Sequence, residues 1–439
     1  MNIPAQAVVC ELEKHILVDG FKIVIDIEKS NGSRLVDMPT GRSFIDLYTF
    51  YGSQPIGYNH PYFTQPEVEA ELLRAAKIKV ANADMYSVQY ANFVDTFARV
   101  MPLKPLERYF FIEGGALAVE NAVKAAMDWK VRKNIAAGKG ERGTEIIHFE
   151  GAFHGRSGYT MSLTNTDPKK IEYFAKFNWP RISTPFIDFS LSQPQQTDDV
   201  IAKEKKAEAQ IREVLATKKD DVAAIIIEPI QGEGGDRHFR KEWFQTLRTL
   251  ADENDVLLIF DEVQTGMGIT GKNWCCEHFG VMPDLLSFGK KSQVCGVIAG
   301  PRLDEVKDNV FRMPSRISST WGGNFTDFVR STHNLRVIEG EKLVENARVK
   351  GDLLKKGIET LAKNHPNTIS AVRGRGLLLA FDLPNRQMRD QFWTGAYELG
   401  LLVVRCGEKS IRLRPVLDLK DDIIEEALKL MDGECRRLG

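Results

Sequence analysis

Cysteine is scarce and badly spaced for chemistry. The six cysteines in 439 residues (Cys10, Cys275, Cys276, Cys295, Cys406, Cys435) include no C-x-x-C pair. Neither a zinc site nor a disulfide framework is predicted, and no metal is expected. Adjacent Cys275 and Cys276 are poor partners for each other, so reduced thiols in a cytoplasmic protein are the expectation. Long apolar runs are lacking too. No stretch approaches the ~20 residues of a membrane span, and Met1 to Lys14, with Pro4, Glu11, Glu13 and Lys14, holds no secretory apolar region. Nor is there an excess of one charge. Lys and Arg number 59 against 60 Asp and Glu, for a net charge of -1 and a pI of about 6.7. That balance predicts no nucleic-acid partner and no membrane partner.

What is present is the composition of a large enzyme subunit with a sizeable core, 43% hydrophobic and 27% charged. There is no internal repeat and no low-complexity tract. Ser190 to Asp199, rich in Ser, Gln and Thr, reads as the least ordered stretch, and the charged run Lys203 to Lys219 as a solvated helix face.

The middle of the chain alternates short apolar runs with helical patterns. Tyr109 to Ile112 runs into Glu113-Gly114-Gly115-Ala116, after which Val119, Val123 and Met127 recur at helical spacing. Val222 to Ile227 ends at Glu228-Pro229, Val256 to Phe260 at Asp261-Glu262, and Leu285 to Phe288 at Gly289-Lys290. Uninterrupted apolar strands alternating with helices predict an α/β fold whose central sheet is mainly parallel and covered on both faces. Ligands bind beyond the carboxyl ends of such strands. Arg34 to Leu47 reads as a hairpin; helices follow from about Ile338, then antiparallel strands over Ala371 to Asp382 and Leu401 to Pro415. The expected division is a large domain over residues 61–335, and a smaller α/β domain built jointly from residues 1–60 and 336–439.

The chemistry-bearing residues fall at the strand ends. A lysine ending a buried strand, such as Lys290, is desolvated, which lowers its pKa and frees its amine. The bland alternatives are a solvated Lys290-Lys291 pair and an Asp261 that merely caps a helix. Together they fit one cofactor. Pyridoxal phosphate needs an amine, a carboxylate against its pyridine nitrogen, and amides for its phosphate. Gly114, Gly115 and Ala116 open a helix whose free N–H groups suit that phosphate.

The run Ile259 to Gly266 (IFDEVQTG), followed by Asp284 to Lys290, resembles the signature of class-III, ω-type aminotransferases. Glu113 to Ala122 is similar to the family's phosphate-cup helix, Phe153-His154-Gly155-Arg156 to its ring-stacking loop, and Ser319 to Asn324 to its cross-subunit segment. These motifs occur in family order over residues 34–416. The resemblance implies the fold type I of pyridoxal-phosphate enzymes, pyridoxal 5'-phosphate as cofactor, and a homodimer. It makes Lys290 the Schiff-base lysine and proton shuttle, and gives Asp261 the pyridine nitrogen. Gln264 falls near the ring hydroxyl, Phe153 on the ring face, Gly115 and Ala116 at the phosphate, and Thr320 at the partner subunit's phosphate. Lys291 competes with Lys290; ungapped register of Phe288-Gly289-Lys290 with Gly296 to Gly300 favours Lys290.

For substrates, the resemblance implies that Arg156 forks onto the far carboxylate of either substrate. Arg412 takes the α-carboxylate of 2-oxoglutarate, and Glu233 neutralises Arg412 while the amine donor is bound. Arg414, two residues on, is the alternative to Arg412, one of the pair being a surface charge. Tyr51 is either a carboxylate-binding or a wall tyrosine, and Ser318 stands beside Thr320 with no assigned role. The runs Glu150 to Pro168, Gln231 to Arg240 and Gly289 to Gly296 (GKKSQVCG) are most similar to the lysine-specific branch. They imply L-lysine as donor and 2-oxoglutarate as acceptor, giving 2-aminoadipate 6-semialdehyde and glutamate. Ornithine or 4-aminobutyrate transfer is the same-class alternative, since one methylene is worth only about 1–3 kcal/mol. A non-catalytic regulator on this fold would need a basic DNA-binding domain, which the sequence does not offer.

Overall fold

The computed structural model describes residues 3–80 and 85–439. Met1 and Asn2 of the N-terminal segment, and residues 81–84 within the expected large domain, lie outside the described residues. Seven strands form the main sheet. Their spatial order is Arg108–Ile112, Cys295–Ala299, Leu285–Phe288, Leu257–Asp261, Val222–Ile227, Glu145–Phe149 and Arg181–Ile182. Cys295–Ala299 runs antiparallel to both its neighbours and the remaining pairings are parallel, so the sheet is mainly parallel as expected.

Burial explains the uninterrupted apolar strands. Every residue of Val222–Ile227, Leu257–Asp261 and Leu285–Phe288 is buried. Successive side chains alternate between two cores. Leu257, Ile259 and Leu285 join one cluster with Val119, Ala122, Val123, Ala126 and Trp129 of helix Gly115–Ala136. Leu258, Phe260 and Leu286 join the other with Trp243, Phe244, Leu247 and Leu250 of helix Lys241–Glu253. The result is a helix–sheet–helix sandwich.

The two ends of the chain share further sheets. Arg34–Val36 and Ser43–Asp46 form the expected hairpin, and Leu401–Leu402 adds to it in parallel, Leu401 opposite Ile45. That pairing corrects the antiparallel expectation for the start of the Leu401 to Pro415 stretch: residue 401 completes the N-terminal hairpin before the chain turns. The next strands do run antiparallel, in the order Ser370–Arg375, Leu378–Asp382, Ser410–Leu413, Val404–Cys406. Two other boundaries differ. The stretch read as least ordered enters helix Gln195–Thr217 at Gln195, because its polar residues sit on the exposed side while Val200, Ala207, Ile211 and Leu215 are buried. Helices after the sheet begin at Phe325, not near Ile338. Among the described residues no helix is long and apolar enough to cross a membrane.

Candidate active site

The parallel strands bring their carboxyl ends to one edge of the sheet, and the candidate residues collect there. Asp261 ends its strand with its carboxylate buried. Its Oδ2 lies 2.7 Å from His154 Nδ1, and its Oδ1 accepts from the Val263 N–H at 3.1 Å and from Ser287 Oγ at 3.3 Å. The carboxylate is thereby fixed in orientation. The sequence motif contains His154 without marking a role for it; here it holds Asp261 Oδ2, and its buried Nε2 has no partner among the described residues. Glu228, at the end of the neighbouring strand, accepts from the Phe153 N–H at 2.9 Å and the Gly232 N–H at 3.2 Å. It thus ties the Phe153 loop to the Glu233 loop. Burial raises the Glu228 carboxyl to about 7, with His154 opposing and Asp261 adding to the rise.

Beside this anchor, Gly114 takes φ 101° and opens the helix Gly115–Ala136. The amides of Gly115, Ala116 and Leu117 precede the first intrahelical bond, Ala118 N–H to Gly114 O, and point a positive dipole end at the site. Gly155, at φ 126°, packs so tightly here that a Cβ would sit 2.6 Å from Ala116 Cβ. The Phe153 loop and the helix start are therefore held together by the lack of a side chain.

Lys290 and Lys291 separate cleanly. The Lys291 ammonium is buried and donates to Gln54 O at 2.8 Å and Pro415 O at 3.0 Å, bridging the N- and C-terminal segments. Lys290 Nζ donates no hydrogen bond to any described residue, and burial, then the nearby Arg412, lower its pKa. Its backbone sits at φ 52°, a conformation that non-glycine residues adopt at a cost and that gathers at functional sites.

At the opposite side of the site, strand Ser410–Leu413 points Ile411 and Leu413 into the core and sends Ser410, Arg412 and Arg414 the other way. Neither arginine is a surface charge: Arg412 is 1% and Arg414 0% exposed. They differ in partners. Arg414 pairs with Asp236, also fully buried, and donates from Nε to Gln264 Oε1 at 3.0 Å. Arg412 Nη2 donates to Glu233 Oε2 at 2.6 Å, and its Nη1 to Gln264 Oε1 at 3.3 Å, leaving a buried Nε without partner among the described residues. Gln264 therefore faces the two arginines with its oxygen. Glu233 Oε1 accepts from Lys170 at 2.6 Å. Burial works against ionisation of Glu233, but Arg412 and Lys170 together hold its carboxyl at about 2. Lys170 sits in a short turn, Pro168–Lys170; a basic pair there reads as solvated, and no sequence signal marks it.

Glu233, Lys170, Tyr48 and Tyr51 line a cavity of about 990 Å³. Tyr51 is carried on a left-handed turn, with φ 44°, 50° and 59° at Thr49, Phe50 and Tyr51. Non-glycine residues resist this conformation by roughly 1–2 kcal/mol each. It is enforced by Asp46, which accepts from the Tyr48 and Thr49 amides at 2.9 and 2.7 Å, and by Thr49 Oγ1 donating to Arg414 O. Phe153 presents its ring 5.3 Å from Lys170 Nζ. Arg156 and Thr320 stand apart from this cluster: both side chains are exposed, Arg156 in the Phe153 loop, and Thr320 next to Trp321, whose carbonyl accepts from the Glu113 N–H at 3.3 Å.

A buried oriented carboxylate, a desolvated lysine amine and a helix start with free amides fit pyridoxal 5'-phosphate at its nitrogen, aldehyde and phosphate. The comparisons agree. The profile of the aminotransferase class-III family matches residues 18–433. The chain is 49% identical over 419 residues to L-lysine-epsilon aminotransferase of Mycobacterium tuberculosis, covering 95% of this chain and 92% of the relative. It is 46% identical over 432 residues to L-lysine-epsilon aminotransferase of Streptomyces clavuligerus, covering 98% and 94%. The solved lysine aminotransferase from M. tuberculosis in the internal aldimine form superposes with a TM-score of 0.97 at 47% identity, covering 100% of both chains. The chain belongs to the class-III aminotransferase family. It is a pyridoxal-phosphate-dependent enzyme of fold type I.

Proposed function

We propose that the enzyme transfers the ε-amino group of L-lysine to 2-oxoglutarate, giving 2-aminoadipate 6-semialdehyde and L-glutamate in two half-reactions at one site. The observation that carries this is the 2.6 Å pair of Arg412 with Glu233, a cation that can be covered or exposed. L-Lysine offers its ε-amine to the site, and a bare Arg412 would draw its distal carboxylate to the wrong place. With Glu233 on it, Arg412 is neutralised; with Glu233 displaced, its fork accepts the α-carboxylate of 2-oxoglutarate. The relatives named for lysine support the donor.

Pyridoxal 5'-phosphate, when bound, supplies the electron sink for the amino exchange. Lys290 would hold it and, with its lowered pKa, carry the proton between the substrate carbon and the cofactor carbon. Asp261, oriented by His154, would keep the ring nitrogen protonated; Phe153 would cover the ring face; Gly115 and Ala116 would bind the phosphate. Arg156 would take the far carboxylate of either substrate from the rim. Gln264 would keep Arg412 in register, and Tyr51 would wall the cavity.

We further propose a cytoplasmic homodimer. Leu73, Ile78, Met85, Tyr86 and Val88 are each more than half exposed, and Lys79 lies 5.5 Å over the Trp321 ring. One apolar face thus adjoins the Thr320 segment, which suits a partner whose phosphate Thr320 would reach. Sedimentation at assay concentration should show no active monomer.

The substrate reading is tested by the product formed from L-lysine and 2-oxoglutarate. Glutamate with a semialdehyde that cyclises to a piperideine carboxylate is expected. A preference for ornithine or 4-aminobutyrate as donor overturns it.

A further inference from the structure

We infer that Lys170 is a positioning residue for the second substrate, the anchor that receives Glu233 when it leaves Arg412. The inference rests on the reading of Glu233 and Arg412 above, and extends it to a residue outside the family's motifs.

Glu233 is held by two cations, one on each oxygen: Arg412 on Oε2 and Lys170 on Oε1, both at 2.6 Å. The two differ in setting. Arg412 is 1% exposed and set in a strand, whereas Lys170 lines the cavity from a surface turn. The backbone of Glu233 is tied to its neighbours. Its carbonyl accepts from the Gly407 N–H at 3.0 Å. Gly232 is so close to Gln264, and Gly234 to the Gly151 carbonyl, that a Cβ at either would fall within 2.3 Å of the neighbour. Only the Glu233 side chain is left to rotate.

Rotation off Arg412 exposes the guanidinium for a substrate carboxylate, but it also takes from the mostly buried Glu233 carboxylate one of its two partners at the cavity wall. A carboxylate left unpaired there is strongly disfavoured. Lys170, already in contact, retains the charge. Its contribution therefore differs between the two states. With Glu233 on Arg412, Lys170 is one of two partners; with Glu233 swung out, it is the only one. A group that favours one state over the other shifts the balance by that difference, so Lys170 favours the state that binds the dicarboxylate. A charge-neutral residue at 170 would bias the site toward the amine-donor state.

The test uses the holoenzyme and its two half-reactions measured separately by single-turnover absorbance. In Lys170→Met, the apparent Kd for 2-oxoglutarate should rise on the order of tenfold, with the limiting rate of that half-reaction changed less than about twofold. The apparent Kd for the amine donor should not rise, because the variant biases the site toward the donor state, and Lys170→Arg should restore most of the 2-oxoglutarate affinity. In a Glu233→Ala background, Lys170→Met should have no further effect on that Kd, since there is no carboxylate to receive. An unchanged or lowered Kd in Lys170→Met, or an equal effect with and without Glu233, overturns the inference. The acceptor half-reaction can be started from enzyme aminated with L-glutamate. A failure of L-lysine as donor therefore tells against the substrate proposal and leaves this measurement standing.

Discussion

His154 Nδ1 and Asp261 Oδ2 are 2.7 Å apart at the end of the central strand, and both side chains are buried. Asp261 has two other donors, but His154 is the one that fixes its outer oxygen. A hydrogen bond to a charged group is worth about 1.5–3 kcal/mol. His154→Ala is therefore expected to slow both half-reactions tenfold to a hundredfold and to weaken cofactor retention. Single-turnover rates and the cofactor absorbance left after dialysis check it; a loss confined to one half-reaction counts against a role at the shared ring.

Borohydride reduction followed by peptide mapping should place the pyridoxyl group on Lys290. Lys290→Ala should abolish the attachment without unfolding the chain. Lys291→Met should leave it in place, at a cost in stability of about 1–3 kcal/mol for each carbonyl left without a donor, here Gln54 and Pro415.

Lys291 also sets a pH signature. Burial, with Arg414 adding to it, lowers its pKa to about 7 from 10.5. Between these values the unfolded chain holds a proton that the folded chain has shed, so this residue makes stability rise with pH from about 7 to 10.5; below 7 its burial cost is fully present. Melting temperatures of wild type and Lys291→Met across pH 6–10 should converge in slope only if this is wrong; the expected variant lacks the rise.

The Glu233 carboxyl, held at about 2 against an ordinary 4.5, acts in the same direction in a lower pH window. Its pairing contributes stability present above 4.5 and lost as the pH falls toward 2. The ratio of ε- to α-transfer should therefore stay constant from about pH 5 to 9 in the wild type. Glu233→Ala should shift that ratio toward α-transfer of simple amino acids. A titration of the ratio within the window, or an unchanged ratio in the variant, would refute the role of the pair.

Gly155→Ala combines a positive φ with a Cβ 2.9 Å from the Ala116 backbone. It should force the Phe153 loop off the helix start and lower cofactor affinity, with little change in the global unfolding midpoint of the apoenzyme.

Much of this site is legible in the sequence because strand ends are legible. Val256 to Phe260 and Leu285 to Phe288 show as apolar runs, which puts Asp261 and Lys290 at the edge where ligands bind. The motif around Phe153 likewise contains its histidine. What is not legible is which groups meet across sequence gaps. Arg412 and Arg414 look alike two residues apart, and only their partners Glu233 and Asp236 distinguish them. Lys170 reads as solvated because nothing local shows a carboxylate 63 residues away in the chain. The parallel pairing of Leu401 with Ile45 is lost for the same reason: two residues of strand carry no periodicity.

That last pairing fixes when the site can exist during synthesis. The hairpin carrying Ile45, and the left-handed turn that follows it, find their third strand only at Leu401, and the turn is clamped by Arg414 later still. Roughly 350 further residues must be made first, which at about 5–20 residues per second takes roughly 20–70 s on the ribosome. Through that interval the N-terminal strands have an open edge, exposed to pairing with other nascent chains. The large sheet, whose strands end at Ala299, can be assembled well before. The cofactor-facing edge thus forms early, and the substrate-facing side, Arg412 included, is completed only near the end of synthesis.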